Sequence, residues 1–482
     1  MNHLRTALLL PLLAASTPSI TAPIREASLA RHIDVLASDA YEGRKPGTPG
    51  AIKAVTYIAA AFRDAGLTPG AADGGWYQAI GFTERTPVTT DTRVGTRHEA
   101  EVTATGLDPQ VRIANAPIVF AGYGIVGQGR DDLAGVALTG AVVVIRSGTP
   151  AGMAQAPRTA ERIATLQARG AAAVLTVTSA TTPWADQTAQ RTRPATTLAT
   201  VRRPSVQGTI SQAAFRRLAP NADALLAATD TAGFQAVPLP GRMSLTVETT
   251  IRPFTSWNVI GRRAGTAAMG QAVLFTGHWD HLGICRPEGA TDRICNGAVD
   301  NASGIASMIE TARELGTGAK PVRDEVFIAT TAEELGLLGM EAWADAPTVP
   351  LTDVVAAINV DTVAIAPRGL PVAIVGRGLT RLDPVVDRAA RRLGRKVDTD
   401  LEANAFIDRQ DGAVLVRRGV PAVMIGGSFS DLKRLEAFLG SVYHGPADAP
   451  GKSVVLGGAA EDADLTVAVA RTLVDPAAYP AR

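Results

Sequence analysis

Apolar positions recur three and four residues apart near the start of the chain. Leu29, Ile33 and Leu36 make one stripe, and Ala54, Ile58, Ala61 and Phe62 make a second that ends at Gly66. That spacing predicts helical structure over about residues 27–78, interrupted by the turn-rich stretch SDAYEGRKPGTPG. From about residue 253 the pattern changes to short apolar runs, VLFTG, VFIATT, VVAAINV, PVAIVG and PAVMIGG. Helical segments over residues 304–315, 379–393 and one near 462–473 separate some of these runs. Strand and helix in alternation predict an α/β fold with a mostly parallel central sheet flanked by helices. The stretch between, about residues 100–246, has a different texture. Runs such as APIVFAGYGIV, AVVVIRSG and AAAVLTVTS surround one helical segment at 160–169, with no histidine and no carboxylate cluster. It predicts a separate β-rich module inserted into a domain made of residues 23–99 and 247–482. No internal repeat is visible.

At 482 residues the chain is long enough for two cores. An apolar fraction of 46%, a charged fraction of 19% and a net charge of +1 describe a globular protein with no electrostatic pull toward nucleic acid or an anionic membrane. Residues 1–22 combine an early positive charge, an apolar stretch too short to span a bilayer, and small residues, which predicts an export signal. A buried N-terminal helix is the competing reading. The protein is therefore expected in the periplasm or outside the cell. The two cysteines, Cys285 and Cys295, suit a short disulfide in an oxidising compartment, with two extra metal ligands as the alternative.

Chemistry concentrates in five short clusters: GHWDH, NGAVDNASG, the EE pair of TTAEELG, NVDT and YHGPAD. They supply His278, Asp280, Asp300, Glu333, Glu334, Asp361 and His444, each beside an apolar run or on a nearby turn. In open α/β sheets ligands bind at the carboxyl ends of strands, which is where His278, Glu333, Glu334 and Asp361 are expected. Two zinc ions, each with one imidazole and one private carboxylate, and sharing a third carboxylate and a water, would use His278, His444, Glu334, Asp361 and Asp300 completely. Asp280, two residues after His278, could accept the other ring N–H and orient it. Of the adjacent Glu333 and Glu334, one can ligate while the other serves as general base, and spacing alone leaves the choice open. Singly, each cluster has a bland reading as a helix cap or a solvated face; only their joint placement is persuasive.

Together these motifs resemble the M28 family of co-catalytic zinc peptidases, whose members include secreted bacterial aminopeptidases. The opening LASDAYEGRKPGTPGAIKAVTYIAAAF is similar to that of secreted members, and the middle segment is similar to a protease-associated domain. The resemblance implies a zinc-exopeptidase-like fold. It implies His278 and Asp361 on one Zn2+, Glu334 and His444 on the other, and Asp300 bridging. Glu333 becomes the general base, Asp280 the orienting carboxylate, and a metal-bridging water the nucleophile. The implied activity is removal of N-terminal residues from peptide substrates. One departure stands out, since many members carry histidine where this chain has Gly412. Other readings are a carboxypeptidase or dipeptidase, a glutaminyl-cyclase-like transferase working with one zinc, and a non-catalytic binding protein.

Overall fold

The computed structural model describes residues 23–481, apart from 154–155, 180–182, 192, 202–205, 268 and 452. The export-signal segment, residues 1–22, lies outside the described residues. Contacts divide the chain into two compact units, Met1–Ala79 with Trp257–Arg482, and Ile80–Ser256.

The first unit is built on a sheet in the order Ala373–Val375, Ala422–Gly426, Val354–Asn359, Ala272–His278, Asp324–Thr330 and the end of strand Val237–Arg263. The four inner strands run parallel; Ala373–Val375 and residues 259–263 pair antiparallel at the two sides. Ala272–His278 lies between Asp324–Thr330 and Val354–Asn359 and is buried at every position. Its continuous apolar run is what a parallel strand covered on both faces requires. Helices Glu26–Leu36, Pro49–Asp64, Ser303–Thr317 and Leu456–Leu473 contribute to one large core around Phe62, Phe275 and Phe327. A second core, with Trp343, Met340 and Leu415, forms around helices Leu338–Asp345 and Gly412–Arg417. The mixed α/β architecture with a mostly parallel sheet is as the alternation of runs predicts.

Two details of the first unit differ from the sequence reading. The helical N-terminal region resolves into Glu26–Leu36 and Pro49–Asp64, and the chain is extended from Tyr77 onward. The C-terminal helix starts earlier, at Leu456, because glycines and alanines at its start pack closely: a Cβ on Gly458 would lie 2.4 Å from the Ala366 carbonyl oxygen.

The second unit is also built on strands. Val142–Arg146, Ala173–Val177 and Val206–Ile210 run parallel, with Gln110–Phe120 parallel to the first of them. Val102–Thr105 and residues 237–248 close it antiparallel. Helix Thr159–Ala168 carries Leu166 into a core with Val143, Ile145 and Val174. The unit begins at Ile80, some twenty residues before the change of texture in the sequence. The reason is local: residues 82–85 of strand Tyr77–Val94 pair antiparallel with Ala195–Leu198.

Among the described residues, no helix is long and apolar enough to cross a membrane.

Candidate metal centre

Three parallel strands deliver the cluster. His278 is the last residue of Ala272–His278 and pairs with Thr330, the last residue of its neighbour, from which the chain turns to Glu333 and Glu334. On the other side Thr276 pairs with Asn359, two residues before Asp361. Equal strand endings therefore bring three of the clusters to one edge. The backbone bends sharply there: Ala332, Thr362 and His444 all have φ between 54° and 57°. Non-glycine residues hold that conformation only when the surroundings enforce it, and such residues gather at functional sites.

Asp300 comes from the irregular turn Ala298–Ala302 that opens helix Ser303–Thr317. The Asp300–Asn301 peptide is cis. Asp448 fastens this turn by accepting the backbone N–H of Val299 at 2.9 Å and of Asp300 at 3.0 Å. Asn301 closes the turn from the other side, donating to Val360 O at 3.0 Å and accepting from Gly304 N at 2.9 Å. Arg44, fully buried, donates to the carbonyls of Trp279, Leu36, Asn296 and Gly297 at 2.6–2.9 Å. One guanidinium thus joins the GHWDH and NGAVDN segments.

All seven sequence-predicted residues come together. Asp300 is central: its Oδ1 lies 3.2 Å from His278 Nε2, and its Oδ2 lies 3.3 Å from His444 Nε2. On the first side Asp361 Oδ1 is 3.5 Å and Glu333 Oε2 4.0 Å from His278 Nε2. On the second side Glu334 Oε2 is 2.9 Å from His444 Nε2. Asp280 Oδ1 accepts the backbone N–H of Glu333 at 3.1 Å. The nearer partner of His278 Nδ1 is the Asp280 backbone oxygen at 3.1 Å; its carboxylate stands 3.8 Å away. Asp280 therefore orients the ring mainly through its main chain, leaving Nε2 aimed into the cluster.

Three residues that the motif reading did not single out complete the centre. His281 places Nδ1 2.6 Å from Glu334 Oε1. Asp411 is fully buried and accepts from Thr330 Oγ1. Tyr443 stacks on His444 at 3.7 Å between ring centroids. The scarcity of histidine, six in the chain, was the available signal for His281.

The electrostatics are those of an acid-rich pocket. Burial raises Glu333, and Asp361, Asp411 and Glu334 add to it, so its carboxyl lies well above the usual range. Burial likewise pushes Asp280 up to about 7 and Asp411 to about 6. Burial would depress His444, yet Asp300 and Glu334 beside it push it up to about 9. Burial would also depress His278, but Glu333 and Asp361 hold it well above the imidazole range. Asp300, despite burial, is held well below the carboxylate range by His278 and His444.

The donors fit a divalent cation. Asp300 Oδ2, Glu334 Oε1, His444 Nε2 and both ring nitrogens of His281 are buried and make no hydrogen bond. Buried polar atoms are normally paired. Here imidazoles and carboxylates face one another at 2.6–3.7 Å, as ligands converging on a shared ion do. His278, Asp300 and Asp361 form one group able to hold a metal; His281, Asp300 and Glu334 form another. A cleft beside them has a wall of Phe406, Met424, Phe429, Leu435, Leu439 and Tyr443, with Thr362 and Arg409 as polar members of the lining. Gln410 also lines it, and its Oε1 accepts the Gly412 N–H at 2.6 Å. Cys285 and Cys295 are disulfide-bonded to each other, which removes them as metal ligands.

The fold is similar to that of the aminopeptidase from Aneurinibacillus sp. strain AM-1, with a TM-score of 0.54 at 20% identity over 94% of this chain and 95% of that one. BSAP, a zinc aminopeptidase from Bacillus subtilis, aligns with a TM-score of 0.47 at 19% identity, over 93% and 94% of the two chains. A Fimbriiglobus ruber glutaminyl cyclase aligns with a TM-score of 0.43 at 13% identity, over 94% and 97%. No curated protein matches the sequence. Residues 258–461 match peptidase family M28, so the part of the chain that holds the whole cluster is an M28 peptidase domain.

Proposed function

We propose that this protein is an exported co-catalytic zinc aminopeptidase, with His278 and Asp361 holding one Zn2+, Glu334 and His444 the other, and Asp300 shared. The observation that carries this is the division of Asp300, whose two carboxylate oxygens face different imidazoles, 3.2 Å from His278 and 3.3 Å from His444. Zinc at such a site polarises a carbonyl and supplies a nucleophilic water near neutral pH.

The chain's own groups account for the remaining steps. Glu333 lines the cleft, 4.0 Å from His278 Nε2, and its raised carboxyl suits a base that takes a proton and returns it to the departing amine. Asp280 fixes Glu333 through its backbone N–H and fixes the His278 ring. The aromatic and aliphatic wall of the cleft suits a first residue with an apolar side chain, with Arg409 as the cation on its lining. The disulfide and the export-signal pattern of residues 1–22 agree with an oxidising compartment. The inserted unit is proposed to be a protease-associated domain.

The test is hydrolysis of a panel of aminoacyl-p-nitroanilides by the metal-loaded protein, the chelated protein and Glu333→Gln. Turnover of apolar residues should disappear with chelator, return with zinc and fall at least about 10³-fold in Glu333→Gln, a loss typical of removing a base. Full metal binding with no cleavage of any free-amine substrate would refute the aminopeptidase reading.

A further inference from the structure

We infer that His281 is a nitrogen donor to the metal on the Glu334 side of Asp300, giving that side one more protein ligand than the His278 side. The inference rests on the two-metal reading and extends it to a residue outside the ligand set proposed above.

His281 is 1% exposed, and neither ring nitrogen makes a hydrogen bond. A buried imidazole with no partner on either nitrogen is costly unless something else satisfies it. Its Nδ1 lies 2.6 Å from Glu334 Oε1 and 3.7 Å from Asp300 Oδ2, and both of those oxygens are also buried without a hydrogen bond. A simple imidazole–carboxylate hydrogen bond would have satisfied Nδ1 and Oε1 together. Instead, the two atoms meet at 2.6 Å and both are unpaired, as expected of two donors aimed at a third body.

The ring has been given its place by the backbone. Gly297, at φ 60°, packs against it so tightly that a Cβ there would lie 2.5 Å from His281 Cγ. The turn that carries Asp300 is therefore seated directly on this imidazole. The His444 ring stands edge-on to it, with centroids 5.7 Å apart.

The consequence is asymmetry. His278, Asp361 and Asp300 offer three donors to one ion, whereas His281, His444, Glu334 and Asp300 offer four to the other. Three protein ligands leave a position for water or substrate; four tend to close a site. The open side is then the one that borders the cleft, which His278, Asp300 and Asp361 line.

The experiment is zinc titration of the full protein against a chromogenic chelator, with cobalt(II) absorption spectra, for wild type, His281→Ala and His281→Gln. Glutamine keeps an N–H donor of similar reach but offers no imidazole nitrogen. Wild type should bind two ions. Both variants should lose tenfold or more in affinity at one ion only, with an altered cobalt band for that site and the other ion's affinity and band unchanged. Unchanged affinities in His281→Ala would overturn the inference. So would recovery of affinity in His281→Gln, because His281 would then be only a hydrogen-bonding residue. Uptake of fewer than two ions by wild type would instead defeat the two-metal reading itself, whatever the variants do.

Discussion

Asp448 holds the backbone of Asp300, accepting its N–H at 3.0 Å, although 148 residues separate them. The same carboxylate accepts from Val299 N and from Ser453 Oγ at 2.8 Å. The turn presenting the central carboxylate is thus tied to the segment just after His444. Asp448→Ala should leave two buried N–H groups unpaired, at about 1–3 kcal/mol each. Zinc affinity should fall about 10- to 100-fold, as when other outer groups around a metal are removed. Urea unfolding and chelator competition measure the two effects, and unchanged zinc retention would show that the turn is held without this residue.

Arg44 makes a parallel prediction. Its guanidinium serves four carbonyl oxygens at once, a fork that an ammonium cannot reproduce. Arg44→Met should destabilise the protein by about 3 kcal/mol or more, with Arg44→Lys recovering less than half. Chemical denaturation of the purified variants provides the comparison. A lysine variant as stable as wild type would contradict the need for a planar donor.

The pH dependence of stability should carry a signature of Glu310. Burial pushes its carboxyl up, but His32 Nε2 at 3.0 Å and Arg313 Nε at 3.2 Å more than offset this, leaving it below its ordinary value of 4.5. The unfolded chain therefore binds a proton here more readily than the folded one. The stabilisation is fully present above about pH 4.5 and is lost as pH falls through the lower folded-state value. Glu310→Gln should be less stable than wild type by about 1–3 kcal/mol at pH 7, with the gap closing in acid. Urea midpoints across that range would reveal it; a gap constant with pH would rule out the charge as its source.

The Cys285–Cys295 bridge closes a ten-residue separation between the segments that carry His278 and Asp300, and Cys295 Sγ lies 3.4 Å from the His444 carbonyl oxygen. Reduction, or replacement of both cysteines by serine, should cost about 2–3 kcal/mol from loop entropy. It should also raise the rate at which zinc is lost to a chelator. Equal zinc release rates before and after reduction would confine the bridge to a role in stability.

His278 and Asp361 were legible as candidate ligands because they sit where long apolar runs stop: the run ending at His278 and that ending at Asn359 announce both the strand and its end. Residues whose work is done through the main chain were not. Arg44 reads as one charge in a turn-rich loop, and nothing in its neighbours shows that its four acceptors are carbonyls, one nearby and three more than 230 residues away. His281 was hidden by Asp280, because the HxD spacing already offered a complete explanation of that motif. The start of the second unit was missed for another reason. Residues 82–85 find their partners near residue 196, and the alternation of a half-buried antiparallel strand is faint beside the buried runs that follow.

The long reach of Arg44 also bears on how the chain can mature. The first unit is discontinuous, and the guanidinium's acceptors Trp279, Asn296 and Gly297 are synthesised only after the whole of Ile80–Ser256. Until then the first two helices carry apolar stripes and a cation destined for burial, with most of the groups that satisfy them still unmade. The second unit, with its own cores, is free to close first. A nascent chain cut short before residue 297 should accordingly expose residues 23–79 to protease while the intervening unit resists.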